Sequence, residues 1–401
     1  MVACAGVKSM NWPNLTESNY REECLKYVEA TPPDSRDEHG RGIVICAGGQ
    51  RLLTNAYVNI TVLRDLGCDL PIEVWYRNRW EMDDKARALF SHLGDITFVR
   101  GDDQPMEWRT LNGWELKPYA ILNCRFSEVL LLDADNTVSV NPEFLFDDPH
   151  YQEHGALFWP DYWRTEASRG IWGMTGVEYR DEPEFESGQA VIDKSRCWPA
   201  LCATKFMNDY SDLTYIHIHG DKDTFRFGWH MTDTPFNIIP HGIHSLESTM
   251  CQHDWDGRIV LFHRNMQKWE HEKGRNHPIH GFKHEGLCFE ALEELRERWD
   301  GKISIDGGFP EEESRLVGKW FNYRRIDFDE REIEFAANNQ IGEGAGGCEE
   351  VWYIEKVNGS LELVVGGRSQ TTMRLKEGEG GVWHGRWLIH EKMPIELIPL
   401  S

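Results

Sequence analysis

The chain is short of positive charge. Lys and Arg number 43 against 67 Asp and Glu, giving a formal net charge of -24 over 401 residues. A protein that tracks nucleic-acid phosphates needs a basic face, so nucleic acid is excluded as a partner, and an anionic lipid surface is disfavoured for the same reason. Long apolar runs are missing as well. Nothing approaches the eighteen consecutive apolar residues of a membrane span, and Met1 to Asn14 has neither a cationic nor an extended apolar segment. The expectation is therefore a chain without an integral membrane segment or signal peptide, located in the cytoplasm. On that expectation the glycosylation patterns at Asn14, Asn59 and Asn358 are chance matches. The ten cysteines contain no Cys-X-X-Cys pair, and Cys46 and Cys124 lie inside apolar patterns. That usage suits reduced, buried thiols rather than a disulfide framework or a zinc knuckle. A phosphate-loop lysine motif, a long-period repeat and a low-complexity tract are also lacking.

What is present is an alternation of strands and helices. The length favours two or three domains. Residues 1–41 read as a polar lead-in with a helix over 20–30, ended by Thr31-Pro32-Pro33. The first ordered domain is expected over 42–298. Its apolar runs at 43–47, 71–76 and 96–99 predict strands, and the segments 52–66, 84–93 and 117–126 predict helices. This pattern indicates parallel βαβ units. Further strands are expected at 155–159, 189–192 and 258–262, with helices at 198–208 and 224–229. Gly301, Gly307, Gly308, Pro310 and the glutamates 311–313 mark 299–314 as a linker. From 315 to 401, short alternating runs separated by Asn-Gly and Gly-Gly turns predict a small all-β barrel or sandwich.

The run Glu128-Val-Leu-Leu-Leu-Asp133-Ala-Asp135 ends in two carboxylates one residue apart. On a buried strand, side chains two apart share a face, so Asp133 and Asp135 can meet one divalent cation at the lip of the sheet. Ligands of α/β domains gather at such carboxyl ends. Transfer from a sugar nucleotide needs this chemistry, because Mn²⁺ or Mg²⁺ stabilises charge on the departing diphosphate. His263 ends a second apolar run and can join the same metal, while Lys268 can reach the diphosphate. Lys117, near the start of the helix before the carboxylate strand, is a further candidate phosphate contact. In Glu186-Ser-Gly-Gln189 the glycine permits close approach of a ligand, and Glu186 and Gln189 offer an acceptor and a donor to sugar hydroxyls. In Gly220-Asp-Lys-Asp223, Asp221 is the expected contact to the donor sugar or its anomeric carbon, and Asp223 the helix cap.

In this order, with Trp114, Lys117-Pro-Tyr-Ala120 and Asp193-Lys194, these motifs resemble a GT-A glycosyltransferase with a Rossmann-like mixed sheet. They are most similar to the fungal α-mannosyltransferases of glycosyltransferase family 71, and more distantly to the glycogenin and galactinol-synthase group. The resemblance spans about 41–270 and leaves the tail outside. It implies retention of anomeric configuration and a metal held by Asp133, Asp135 and His263. It also implies that Lys268 contacts the diphosphate, that Gly48 and Gly49 form the turn against which base and ribose lie, and that motifs 186–190 and 220–224 surround the sugar. The donor is expected to be GDP-mannose or a UDP-hexose, and the acceptor a glycan or glycoconjugate. The fungal enzymes are membrane-anchored Golgi proteins, so their compartment and their mannan acceptor are not carried over.

Two other functions are weighed. His217-Ile-His219-Gly-Asp221 would suit a metal-dependent hydrolase if the histidines alternated on a strand. The tryptophans would suit a noncatalytic carbohydrate-binding protein. Trp159, Tyr162, Trp163, Trp172 and Tyr179 form the expected acceptor platform, and Trp352, Trp383 and Trp387 in the tail are either core or a glycan surface.

Overall fold

The structure is a computed structural model that describes residues 15–33, 40–78, 81–101, 113–303, 309–337, 339–346, 348–357, 360–366, 371–388 and 393–400. The chain forms two compact units, residues 1–303 and 304–401. Asn14 and Asn358 lie outside the described residues.

The first unit begins with α1 (Tyr20–Ala30), β1 (Arg41–Cys46), α2 (Gly49–Asp65), β2 (Ile72–Tyr76), α3 (Asp84–Leu89), β3 (Ile96–Arg100), α4 (Leu116–Asn123) and β4 (Glu128–Asp133). It continues through β5 (Asn136–Val138), α5 (Pro149–His154), β6 (Ala156–Pro160), α6 (Ile171–Thr175), β7 (Phe185–Asp193), α7 (Lys194–Asp209), α8 (Ser211–Thr214) and α9 (Lys222–Met231). The strands β8 (Asn237–Ile238), β9 (His244–Leu246), β10 (Thr249–His253) and β11 (Ile259–His263) precede α10 (Glu285–Arg298).

The main sheet has the order β3-β2-β1-β4-β7-β6-β8. Strands β3, β2, β1 and β4 are parallel, while β7 runs antiparallel to β4. Both faces are covered, which explains the continuous apolar strands. Ile43, Ile45, Leu130 and Leu132 enter a core shared with α2 and α10, whereas Val44, Val129 and Leu131 enter one shared with α4, α7 and α9. Cys46 is in register with Asp133, so β1 and β4 end together. A second sheet, β5-β11-β10-β9, places His263 opposite Asn136. This is the GT-A arrangement expected from the motifs, a Rossmann-like half followed by a mixed region.

Three local expectations change. Strand β4 stops at Asp133, and Asp135 sits in the turn before β5 rather than on the strand. Strand β7 is longer than expected and takes in Glu186, Ser187 and Gly188, with a bulge: Leu157 pairs Val191 but Trp159 pairs Glu186. The lead-in helix α1 is core rather than appendage, since Tyr20, Cys24 and Tyr27 are buried and both tyrosine rings meet Phe206. None of the nine cysteines among the described residues forms a disulfide. No described helix is long and apolar enough to cross a membrane.

The second unit has α11 (Pro310–Ser314) and the strands β12 (Lys319–Arg325), β13 (Asp329–Phe335), β14 (Val351–Val357), β15 (Ser360–Gly366), β16 (Thr371–Glu377), β17 (Trp383–Trp387) and β18 (Pro394–Pro399). All are antiparallel, in the order β13-β12-β18-β17-β16-β15-β14. The bridges Phe335–Ile341 and Gln340–Val351 connect the two edges and give the sheet a barrel-like closure. Trp352, Trp383 and Trp387 are all buried in its core, which removes the glycan surface proposed for them. The expected linker is ordered at both described ends. Trp299 is buried in the first unit, and Glu313 in α11 accepts a hydrogen bond from the Ile354 amide at 3.1 Å.

Helices α7 and α9 cross closely at Gly228, where an added Cβ would lie 2.4 Å from Thr204 Oγ1 and 2.9 Å from the Ala200 carbonyl oxygen. A backbone oxygen cannot rotate aside. Gly228→Ala should therefore destabilise the first unit by about 1–3 kcal/mol through overpacking, read as a lowered unfolding midpoint in urea.

Candidate active site

The site forms where β4, β7 and β11 meet. Asp133 is delivered by the end of β4, Asp135 by the following turn and His263 by the end of β11. One ligand atom from each lies within 4.8 Å of the other two, and this is the one such group among the described residues. His263 Nε2 is 3.4 Å from Asp135 Oδ2 and 3.7 Å from Asp133 Oδ2, while its Nδ1 is 3.5 Å from Glu186 Oε1. The imidazole is buried and neither ring nitrogen makes a hydrogen bond. Two hard oxygens and an imidazole nitrogen without a fixed partner fit a divalent cation such as Mn²⁺ or Mg²⁺.

Charge balance at the site comes from two lysines. Lys117 is buried, with its Nζ 2.8 Å from Asp133 Oδ1, 3.4 Å from Asp221 Oδ2 and 3.1 Å from the Ser187 carbonyl oxygen. Lys268 pairs with Asp135. Burial opposes ionisation of the Asp135 carboxyl, yet His263 and Lys268 outweigh it and hold the group far below the usual carboxylate range. Burial likewise opposes protonation of His263, but Asp135, Glu186 and Asp133 raise the imidazole to about 8. Burial opposes the Lys117 charge as well, and Asp133 and Asp221 overcome it, so the ammonium stays protonated well above its ordinary range. Glu186 and Asp221 are different. Burial dominates both and pushes their carboxyls up. Glu186 Oε1 accepts from the Gly188 amide at 2.8 Å, while Asp221 Oδ2 is buried without a hydrogen bond.

Asp223 does not cap α9. Its carboxylate accepts from the Phe185 amide at 3.3 Å, from Thr165 at 3.0 Å and from Arg226 at 2.9 Å. Burial drives it up to about 6. Asp221 occupies the cap position and makes no capping hydrogen bond. Gln189 is completely buried. Its Oε1 accepts from Asn136 Nδ2 at 2.6 Å, and Asn136 is itself held by the Gly188 carbonyl oxygen at 2.9 Å. Gly48 and Gly49 link β1 to α2, and a Cβ at Gly48 would meet the Glu81 side chain.

The paired-histidine arrangement is not formed. Residues 215–221 are turn and bend, not strand, and His217 pairs with Glu17 at 3.0 Å while His219 lies against Trp114. Neither joins a metal-type cluster, which removes the structural basis of the hydrolase reading. The aromatic loop divides in two. Trp159 and Trp172 are core, whereas Tyr162, Trp163 and Tyr179 are exposed.

Several residues support the site in roles that the sequence reading did not give them. Trp269 is clasped by Asn55, which accepts from its amide at 2.8 Å and donates to its carbonyl at 2.9 Å. The Arg264 guanidinium stacks on the Trp269 ring at 3.7 Å, and its backbone amide donates to the Asp135 carbonyl at 2.9 Å. Together these fix the arm that carries Lys268. Asn59 is buried, and its side chain donates to the Asp133 carbonyl at 3.3 Å, so its glycosylation pattern is inaccessible in the fold. Only the apolar pattern around these polar residues could have flagged them.

Gly188 packs directly against the candidate metal ligand, because a Cβ there would lie 2.7 Å from His263 Nδ1 and 3.0 Å from Glu186 Oε1. Gly188→Ala should displace the imidazole and weaken Mn²⁺ binding by about 10–100-fold, as expected for a residue that orients a ligand. Calorimetric titration of Mn²⁺ into the variant, with circular dichroism to confirm folding, reads this directly.

The family model described as "Mannosyltransferase putative" matches residues 40–184 and 177–254. Among relatives, the alpha-1,2-mannosyltransferase MNN24 of Candida albicans (strain SC5314) is 27% identical over 270 residues, covering 56% of this chain and 36% of its own. The alpha-1,2-mannosyltransferase MNN5 of Saccharomyces cerevisiae (strain S288c) is 24% identical over 285 residues, covering 55% of this chain and 48% of its own. The chain thus spans less than half the length of these curated relatives. Among solved structures, the WbbM bifunctional glycosyltransferase has 11% identity and a TM-score of 0.38, covering 52% of this chain and 40% of its own. The galactosyltransferase LgtC with donor and acceptor sugar analogs has 16% identity and a TM-score of 0.35, covering 47% and 70%. The family match runs through β1, β4 and β7, the strands that deliver Gly48, Asp133 and Glu186, and takes in over half of the residues: the chain belongs to the mannosyltransferase family.

Proposed function

We propose that this chain is a metal-dependent, retaining mannosyltransferase that moves mannose from GDP-mannose to a glycan acceptor. The observation that carries the proposal is the convergence of Asp133, Asp135 and His263 on one point inside the region matched by, or adjoining, the mannosyltransferase family. Those three residues would hold Mn²⁺ or Mg²⁺, which when bound supplies positive charge toward a diphosphate leaving group.

The remaining work falls to the chain's own residues. Lys268 and Lys117 provide fixed ammonium charges at the diphosphate end of the site. Gly48 and Gly49 are the candidate turn for the nucleoside at the end of β1, where the Glu81 side chain packs against Gly48. Glu186 can hold a proton or accept from a sugar hydroxyl, since burial raises its carboxyl. Asp221 joins the same cluster from the start of α9, 3.4 Å from Lys117, and in its ionised form can stabilise positive charge at the anomeric carbon. Gln189, with its carbonyl oxygen engaged by Asn136, has an amide N–H left for the sugar.

Release of GDP from GDP-mannose in the presence of Mn²⁺ is the direct test. Wild-type protein should release it, and Asp135→Ala should lose at least about a hundredfold in rate while staying folded. Near-wild-type turnover by Asp135→Ala at low Mn²⁺ would sink the metal assignment, and release from UDP-hexoses alone would overturn the donor.

Retention has its own readout. An α-linked donor should give an α-linked product, and the anomeric proton signal of the isolated product decides it. A β-linked product would require a general base across the sugar from the leaving group and would refute the reading.

A further inference from the structure

Tyr162 and Trp163 follow directly on β6 and leave large aromatic surface in solvent, with 51% and 70% of each residue exposed. Their neighbours along β6 and β7, Phe158, Trp159 and Phe185, are by contrast buried. The backbone under the two rings is tightly held. The Asp161 amide donates to the Glu184 carbonyl at 2.8 Å, and the Glu184 amide donates back to the Trp163 carbonyl at 2.9 Å. The rings therefore stand on a two-stranded extension of β6 and β7, with Trp163 paired only two residues ahead of Glu186.

A second anchor ties this extension to α9. Lys222 Nζ pairs with Asp161 and lies 2.8 Å from Glu184 Oε2. Asp223 holds Thr165 and the Phe185 amide. The consecutive residues Asp221, Lys222 and Asp223 thus divide their tasks: Asp221 turns to Lys117 and the carboxylate cluster, and its two successors clamp the aromatic extension. Motion of the extension relative to Asp221 would require breaking buried ion pairs.

We infer that Tyr162 and Trp163 form the platform for the acceptor, a pyranose of a glycan chain, held in register with Asp221 and Glu186 by the Lys222–Asp161–Glu184 clamp. The inference rests on the glycosyltransferase reading above and adds the acceptor site to it. A pyranose has an apolar C–H face that an exposed indole or phenol can cover, and rigid backing means that little ordering entropy is lost on binding. Tyr179 differs, since its ring packs edge-on against the buried Trp172 at 5.3 Å and serves the core.

The test uses the full chain with methyl α-D-mannopyranoside and α-linked mannobioses as probes. In saturation-transfer NMR the wild type should saturate the pyranose C–H protons. Trp163→Ala should shift the ratio of mannosyl transfer to acceptor-free GDP release about tenfold toward release, through a raised acceptor KM, and Trp163→Phe should restore most of it. A merely structural role would lower both reactions together and leave that ratio unchanged, which would overturn the inference. So would the absence of saturation in the wild type for every mannoside, or a Trp163→Ala variant whose only change is in oligomeric state. If the wild type binds mannosides through Trp163 but never turns over GDP-mannose, the functional reading fails and the platform stands.

Discussion

A buried ammonium between two carboxylates holds the site together. Lys117 comes from α4, Asp133 from β4, Asp221 from the start of α9 and the Ser187 carbonyl from β7, so one side chain joins four elements that are distant in sequence. Burying a lone charge costs several kcal/mol, and the ion is tolerated because the buried Asp221 and the partly buried Asp133 compensate it. Removal of any one member would leave the others uncompensated. The edge of the sheet is thereby held as a site rather than closing as a hydrophobic core.

The same electrostatic logic explains why so much polar chemistry sits within a wall of apolar side chains. Lys268 balances Asp135, the arm that carries it is braced by Arg264 and Asn55, and the β7 bulge turns Gly188 toward His263. Bulges next to active sites re-aim backbone groups, and here the bulge frees two consecutive carbonyls, those of Ser187 and Gly188, for Lys117 and Asn136. In Glu186 and Asp221 burial outweighs the neighbouring cation, His263 for the first and Lys117 for the second, and pushes the carboxyl up. The site thus sets Asp135, held ionised by His263 and Lys268, beside Glu186 and Asp221, whose burial favours the protonated form.

Much of this was legible from residues alone where local rules dominate. The strands announced themselves as short β-branched and leucine runs, and Asp133, Asp135 and His263 were expected at the ends of two such apolar runs, which stop where a sheet meets solvent or ligand. The tail's strands were equally legible from alternation and turn glycines. Reading left alternatives open where one residue type serves two environments. Trp159, Trp172, Trp352, Trp383 and Trp387 are as aromatic as Trp163, but their burial depends on which elements fold over them. Asp223 precedes a helical pattern as a cap would, yet Arg226 and Thr165 compete for its carboxylate and win.

Composition and periodicity by themselves determined the fold class, the βαβ order and the carboxylate strand, because each follows from side-chain alternation within a few residues. Tertiary structure alone decided which charges meet. Lys117 and Asp221, Asn136 and Gln189, and Asn55 and Trp269 are separated by scores of residues, and their pairing depends on strand order and on the bulge in β7. Coulombic and hydrogen-bond energies fall off within a few ångströms, so only the folded chain fixes those distances.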